Sequence, residues 1–319
     1  MKDKICVIVP VKEDSGIFRK CVVSLLDLDY ANYEIIIVDD SEKGIIEKTS
    51  FPQGIKVIWS QSKGPSYARN LAAKSTDADF LAFTDSDCIV DRNWLKELLA
   101  GFEEHPDAAA CGGVQKLPQD AAEFERKVFL FMKKAGFITD YMRKERKPGI
   151  AEVNHNASCN VMYRKDIFLK ESGFLEGLWP GEDVELDYRL KKKGYKIVFN
   201  SKAVVYHYKP KNIKSFSRMM SRYGRAQGSL VRMYGIFRNI QILPFLSLIV
   251  LLVFPLSLFF KFMLFSLSSF SVAVLLSFGY FDFIPLLVIL AFLAFIYWNV
   301  GFWIGLFRMR VDRKRQGNV

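Results

Sequence analysis

The chain has 319 residues, half of them hydrophobic, and a formal net charge of +11; that length holds one large or two ordinary domains, with ample material for a core. Its five cysteines, at 6, 21, 88, 111 and 159, are scattered and form no Cys-x-x-Cys pair, which argues against a disulfide frame or a thiolate zinc site and fits a reducing cytosol. The positive charge excludes itself as a nucleic-acid footprint by its placement beside apolar sequence: eight Lys or Arg and no acid lie between Tyr208 and Asn239, and five bases against Asp312 lie from Arg308 onward.

Lys2, Asp3 and Lys4 are charged, and the apolar run Ile5 to Val9 is too short for a signal peptide; it reads as a buried strand ended by Pro10. Phe18, Cys21, Val22, Leu25 and Leu26 recur at three and four, which predicts a helix. Glu34 to Val38 is a second buried strand that closes on Asp39 and Asp40, and Ile55 to Trp59 is a third. Gly64-Pro65 opens a helix through Lys74 that carries Arg69. Phe80 to Phe83, apolar without alternation, is a strand covered on both faces that stops at Asp85 and Asp87.

Beyond it come a helix at Asn93 to Phe102, a strand at Ala108 to Gln115, a helix at Ala121 to Met142, a strand at Asn154 to Tyr163 and a short helix at Asp166 to Ser172. A turn-rich loop, Gly173 to Gly181, leads into a helix from Glu182-Asp183 through Lys193, with acids in its first turn and lysines in its last. Glu182 and Asp183 suit helix capping there as well as catalysis. Short strands at Tyr195 to Asn200 and Ala203 to Tyr208 follow, the second carrying His207 between two tyrosines, a setting that suits core packing as well as metal ligation.

Alternating strands and helices predict an α/β fold with a Rossmann-like, mostly parallel central sheet, in which ligands gather beyond the carboxyl ends of the strands. Asp85 and Asp87 stand at such an end, and hard oxygen ligands of this kind suit Mg²⁺ or Mn²⁺. Neither Gly-x-Gly-x-x-Gly nor Gly-Lys-Ser/Thr occurs, so phosphate charge on a ligand calls for a metal.

From Ile213 to Phe237 apolar residues fall at helical spacing with arginines between, which reads as a basic amphipathic helix lying at a membrane interface across residues 209–240. Gly224-x-x-x-Gly228 sits there outside any apolar span and carries no weight in that reading. Ile242 to Phe260 is nineteen residues without charge, Phe283 to Phe307 is a second such span, and the serine-rich Phe262 to Phe281 is either a third crossing or a semi-buried connector. The expected division is a cytosolic domain over 1–208, the interfacial region over 209–240, a transmembrane region over 241–307 and a basic cytosolic tail over 308–319. Two crossings place both ends in the cytosol.

The set Val9-Pro10, Val38-Asp39-Asp40, Gly64-Pro65 through Arg69-Asn70, Thr84-Asp85-Ser86-Asp87 and Gly181-Glu182-Asp183 resembles, by order and spacing, the inverting family 2 glycosyltransferases of the GT-A fold. The likeness covers Ile5 to Tyr208, and many relatives carry basic helices and transmembrane segments after the catalytic domain. The resemblance implies that Pro10 and Asp39 or Asp40 line the pocket for the nucleotide's base and ribose, with Arg69 near the base or diphosphate and Asp85 at the ribose. It implies Asp87 as metal ligand, His207 as a further one, Asp183 as general base and Glu182 beside it at the acceptor site. The implied partners are Mn²⁺ or Mg²⁺, a nucleotide-sugar donor, a lipid-linked or surface-glycan acceptor and membrane lipids, with no nucleic acid, in a multi-pass protein of the cell membrane.

Processive relatives carry Gln-x-x-Arg-Trp before their membrane spans, whereas here the nearest stretch, Ser221 to Gln227, has another order and no Trp, which favours transfer of a single sugar. Two other classes remain. A nucleotidyltransferase would carry a Gly-rich loop with Lys or Arg after the first strand, which Pro10-Val11-Lys12-Glu13 does not supply; a catalytically inactive nucleotide-binding membrane protein would have no need of Asp85, Asp87 and Asp183 together.

Overall fold

A strand with no polar alternation has to be covered on both faces, and the runs at Ile5 and Ile35 meet that demand, being buried throughout. The computed structural model describes residues 3–46, 51–52, 54–135, 149–253 and 284–307. By internal contacts the chain divides into two compact units, one of Met1–Gln119, Ile138–Tyr208 and Val311–Val319, the other of Asp120–Phe137 and Lys209–Arg310.

In the first unit β1 (Ile5–Val11), β2 (Tyr33–Asp39), β3 (Ile55–Trp59), β4 (Phe80–Phe83), β5 (Cys88–Val90), β6 (Ala108–Lys116), β7 (Ile150–Glu152), β8 (Val161–Arg164) and β9 (Lys196–His207) make one sheet. Its order is β3-β2-β1-β4-β8-β6-β9-β5, with β7 also on β9. The β3-β2-β1-β4 half is parallel, β6 is parallel to β9, and β8, β5 and β7 pair antiparallel, so the sheet is mixed. Helices α1 (Gly16–Leu26), α2 (Pro65–Lys74), α3 (Trp94–Glu104), α5 (Lys165–Lys170) and α6 (Glu182–Lys192) connect these strands; α4 (Glu123–Ala135) belongs to the second unit.

Several expectations change. Pro10 does not end β1: it pairs with Val38, while the pairing of β1 with β4 ends at Ile8 opposite Phe83. The carbonyl of Val11 accepts from Asp40 toward β2 and that of Ile8 accepts from Thr84 toward β4, so position 10 faces beyond the end of β4, where a missing N–H breaks no ladder bond. Residues 154–160 are a loop, not the start of a strand. Two of their side chains bind backbone and so compete with ladder formation: Asn156 Nδ2 donates to Val198 O at 2.9 Å, and Asn160 Nδ2 donates to Val114 O and Ala203 O at 3.0 Å. The two expected terminal strands are one, β9, whose register against β6 jumps from Asn200 to Val204, a bulge around Ser201 and Lys202 that looks like a break in sequence. The short strands β5 and β7 were not legible, since three residues carry no period.

In the second unit α7 (Ile213–Tyr234) starts from a capping box, with Asn212 Oδ1 accepting from Ser215 N at 2.9 Å and Ser215 Oγ accepting from Asn212 N at 3.3 Å. It packs along α9 (Ile284–Phe307) through glycines. A Cβ built on Gly224 or Gly228 would strike the backbone at Trp298 or Phe302, and one on Gly301 or Gly305 would strike the backbone at Ser221 or Arg225. Gly224-x-x-x-Gly228 therefore carries the contact that the sequence reading denied it, because its partner is the matching Gly301-x-x-x-Gly305. One face of this helix is packed: Phe216, Met220 and Leu230 are fully buried, Phe216 sits edge-on to Phe131 of α4, and Arg232 Nη1 donates to Phe307 O at 2.9 Å at the end of α9.

Leu286–Phe307 is the one helix among the described residues that is long and apolar enough to cross a membrane. Helix α8 (Leu243–Val253) covers the first part of the expected Ile242 to Phe260 span. The rest of that span, Phe262 to Phe281, the extension of α4 to Met142 and the tail 308–319 lie outside the described residues. Gly228→Val is expected to cost about 1–3 kcal/mol by overpacking the α7–α9 contact. Thermal unfolding of the full chain in detergent checks this against Gly16→Ala, a position with nothing within 4 Å of the added carbon.

Candidate active site

Carboxylates gather at the carboxyl end of the parallel strands, and each is held by a different device. Asp39, 1 % exposed, spends both oxygens on its own loop: Oδ1 accepts from Ser41 N at 2.9 Å and Oδ2 from Ile46 N at 2.8 Å. Asp40 Oδ1 accepts from Ser60 Oγ at 2.5 Å and from Gly64 N at 3.1 Å, which ties the end of β2 to the start of α2. Pro10 is buried beside Val38 in the sheet.

Arg69 joins two parts of the site. Its side chain is 1 % exposed; Nη2 donates to Asp85 Oδ1 at 2.5 Å and Nη1 to Glu182 Oε1 at 2.8 Å, across Phe174 whose ring centre is 5.8 Å from the guanidinium carbon. The planar fork of arginine can hold two carboxylates in one plane, which a lysine cannot. The structure thus turns Arg69 inward, onto acids of the site. Its Nε and Glu182 Oε2 are buried polar atoms with no hydrogen-bond partner among the described residues.

Glu182 and Asp183 open α6, after Gly181, whose φ of +106° only glycine takes easily. Glu182 Oε1 also accepts from Ser158 Oγ at 3.1 Å, and Ser158 N donates to Asp183 Oδ2 at 2.9 Å. Burial, then the neighbouring Asp183, push the Glu182 carboxyl up to about 8. Arg69 opposes this, but it divides one charge between Glu182 and Asp85. An acid whose folded pKa lies above its unfolded one keeps a proton that the unfolded chain loses, so its contribution falls as pH rises from about 4.5 to about 8. Glu182→Gln, which mimics the protonated form, should therefore gain melting temperature relative to wild type as pH rises through that window. Parallel melting series at several pH values measure it, and a constant difference would refute the protonated Glu182.

Sequence reasoning passed over His155, Ser158 and Asp187. Asp187, fully buried, accepts from Tyr163 Oη at 2.8 Å and Asn156 N at 2.8 Å, and lies 3.1 Å from His155 Nδ1; His155 Nε2 is 4.0 Å from Asp183 Oδ2. Burial raises the Asp187 carboxyl, with His155 opposing it. One signal was available: Asp187 follows Asp183 by four, the spacing that puts both on one face of a helix.

On the other side of Ser158, Cys159 Sγ lies 3.7 Å from His207 Nδ1, and His207 Nε2 lies 3.3 Å from Asp87 Oδ1. Asp85, Asp87 and His207 each offer a ligand atom, all within 4.8 Å of one another. Two carboxylates and an imidazole fit a hard divalent ion such as Mn²⁺ or Mg²⁺. A continuous path of contacts thus runs from Asp183 through Ser158, Cys159 and His207 to Asp87, and from Asp85 through Arg69 to Glu182. Asp39, by contrast, is spent on its own loop.

Residues 6–170, just over half of the chain, match the family described as glycosyl transferase family 2, and the chain belongs to that family. A dolichyl N-acetyl-alpha-D-glucosaminyl phosphate 3-beta-D-2,3-diacetamido-2,3-dideoxy-beta-D-glucuronosyltransferase of Methanococcus voltae is 25 % identical over 263 residues, 78 % of this chain and 80 % of the relative. A pre-mycofactocin glycosyltransferase of Mycobacterium tuberculosis is 27 % identical over 230 residues, 71 % of this chain; the alignment spans about half of that relative, 47 %. Among solved structures, GalNAc-T7 with UDP, GalNAc and Mn²⁺ superposes with a TM-score of 0.53 at 16 % identity, over 76 % of this chain and 53 % of that one, which establishes the fold. The family match stops before Glu182 and Asp183, so the case for those two rests on the geometry.

Proposed function

We propose that the protein is an inverting, metal-dependent glycosyltransferase that moves one sugar from a nucleotide-sugar donor to a lipid-linked or surface-glycan acceptor at a membrane. The observation that carries this reading is the convergence of Asp85, Asp87 and His207 with Glu182 and Asp183 by way of Arg69 and Ser158. Asp87 and His207, with Asp85, would hold a divalent ion, which supplies Lewis-acid neutralisation of charge on the departing diphosphate. Asp183 takes the proton of the acceptor hydroxyl on a carboxylate oxygen, with Ser158 N–H and His155 Nε2 beside its Oδ2 fixing its direction. One in-line displacement at the anomeric carbon inverts its configuration. Pro10 and Asp40 border the same strand ends and belong to the nucleotide pocket; Asp39 supports it by fixing the loop after β2.

The lipid-linked acceptor is supported by the methanogen relative, whose own substrate is a dolichyl phosphate sugar, and by the apolar Leu286–Phe307 helix next to basic sequence. Two crossings, with the catalytic unit and both ends in the cytosol, remain our reading of the membrane part. Hydrolysis of a panel of nucleotide sugars, with and without Mn²⁺, tests the proposal. Wild type should turn over one donor class only with the ion, and Asp87→Ala should lose ion-dependent nucleotide binding. Turnover unaffected by chelation, or by Asp87→Ala, would refute the metal assignment.

A further inference from the structure

The sequence spacing of the cysteines gave no reason to expect a thiolate metal site, yet folding brings two of them together against a histidine. Cys88 opens β5 directly opposite His207 in the antiparallel β5–β9 pair, and Cys159 reaches the same point from the loop before β8. The two Sγ atoms and one His207 nitrogen lie within 4.8 Å of one another. Bond lengths of about 2.3 Å to sulfur and about 2.0–2.1 Å to nitrogen around a tetrahedral ion place neighbouring ligand atoms roughly 3.6–3.8 Å apart. The Cys159 Sγ to His207 Nδ1 separation is already 3.7 Å. Gln115 Oε1, 3.2 Å from the same nitrogen, stands where a fourth, oxygen ligand fits.

We propose that Cys88, Cys159 and His207 form a second metal site, for a thiophilic divalent cation of the Zn²⁺ and Cd²⁺ class, which inactivates the hard-ion site by taking the histidine they share. Thiolates and imidazole select soft and borderline ions, whereas Asp85 and Asp87 suit hard ones. On binding, the two thiols release their protons to solvent, two sulfur–metal bonds form, and no electrons are transferred. The ion enters past His207 and Asp87, whose side chains are 18 % and 50 % exposed, since Cys88 and Cys159 themselves are sealed.

Exclusivity follows from the ring. A neutral imidazole has one lone pair for a metal; with the thiophilic ion on Nδ1, Nε2 keeps its hydrogen and donates it to Asp87 Oδ1, 3.3 Å away. With a hard ion on Nε2, the hydrogen sits on Nδ1 and points at Gln115 Oε1. The second half of the proposal rests on the hard-ion reading above; the first does not.

Titration of the full-length, metal-free protein with Cd²⁺ tests it by ultraviolet absorption. Wild type should develop a thiolate-to-metal charge-transfer band that saturates at one ion per chain. Cys159→Ser and Cys88→Ser should each lose it, and Cys111→Ser, outside the cluster, should keep it; melting curves verify that the variants fold. A wild type with no band, or an undiminished band in folded Cys159→Ser, overturns the site without reference to any activity. In a second arm, the paramagnetic resonance of free Mn²⁺ should rise when Cd²⁺ is added to wild type loaded with Mn²⁺, and should stay constant in Cys159→Ser. Asp87→Ala should still give the Cd²⁺ band, so failure of the hard-ion reading is distinguishable. A Cd²⁺ band in wild type with Mn²⁺ retained refutes the shared histidine.

Discussion

Asp183→Asn should reduce sugar transfer by about 10²–10⁴-fold, the contribution typical of a positioned general base, while nucleotide-sugar binding in the presence of Mn²⁺ stays at the wild-type level. The amide has nearly the volume of the carboxylate but cannot take a proton from an incoming hydroxyl. Asp183 currently accepts two backbone hydrogens, Ser158 N on Oδ2 and Val184 N on Oδ1. Asn offers one carbonyl oxygen and so satisfies one of these, and a melting curve therefore accompanies the kinetics to separate lost chemistry from a loosened loop. Single-turnover transfer and equilibrium binding, measured on the same preparation, decide the matter. Normal transfer by the variant would remove Asp183 from the base role and direct attention to His155, whose Nε2 lies 4.0 Å from it.

Arg69→Ala should destabilise the first unit by about 3–5 kcal/mol above about pH 8, where ionised Glu182 is left buried without its partner, and by less at lower pH, where Glu182 holds a proton. Glu182 is 1 % exposed and Arg69 equally so, and no other cation is seen to pair with Glu182 among the described residues. Replacing both partners is expected to be milder: Arg69→Met combined with Glu182→Gln leaves no unpaired buried charge there, and its cost should fall well short of the sum of the two single changes. Lysine in place of arginine offers a point charge and cannot span Asp85 and Glu182 together. Denaturant unfolding of the wild type, the two single variants and the double variant gives the coupling energy, and additivity would show that Arg69 and Glu182 act independently.

What could be read from the sequence was whatever repeats locally. The strands at Ile5, Ile35 and Phe80 follow from unbroken apolar runs and that at Ile55 from one interrupted by Lys56, and the acids at the strand ends follow from chain order. What could not be read depends on contacts far apart in sequence. Asp39 and Asp40 look alike as neighbours, yet only the folded loop reveals that Asp39 holds Ser41 and Ile46 in place. Arg69 reads as a cation awaiting phosphate until Glu182, 113 residues later, is set against it. His155 and Cys159 lie in a segment read as the start of a strand, where Asn156 and Asn160 instead turn their amides onto the backbone of other strands. The glycine pairs of α7 and α9 fail for the same reason: either one alone is an ordinary short motif, and only the other gives it meaning.

That pairing also sets a schedule for biogenesis. Ser229 Oγ meets Gly305 O across 76 positions, and at about 5–20 residues per second a ribosome needs roughly 4–15 s to travel that distance. For those seconds the glycines of nascent α7 wait for the backbone of α9 against which they pack. The close backbone contact at Gly224 and Gly228 is completed only when residues 301–305 arrive.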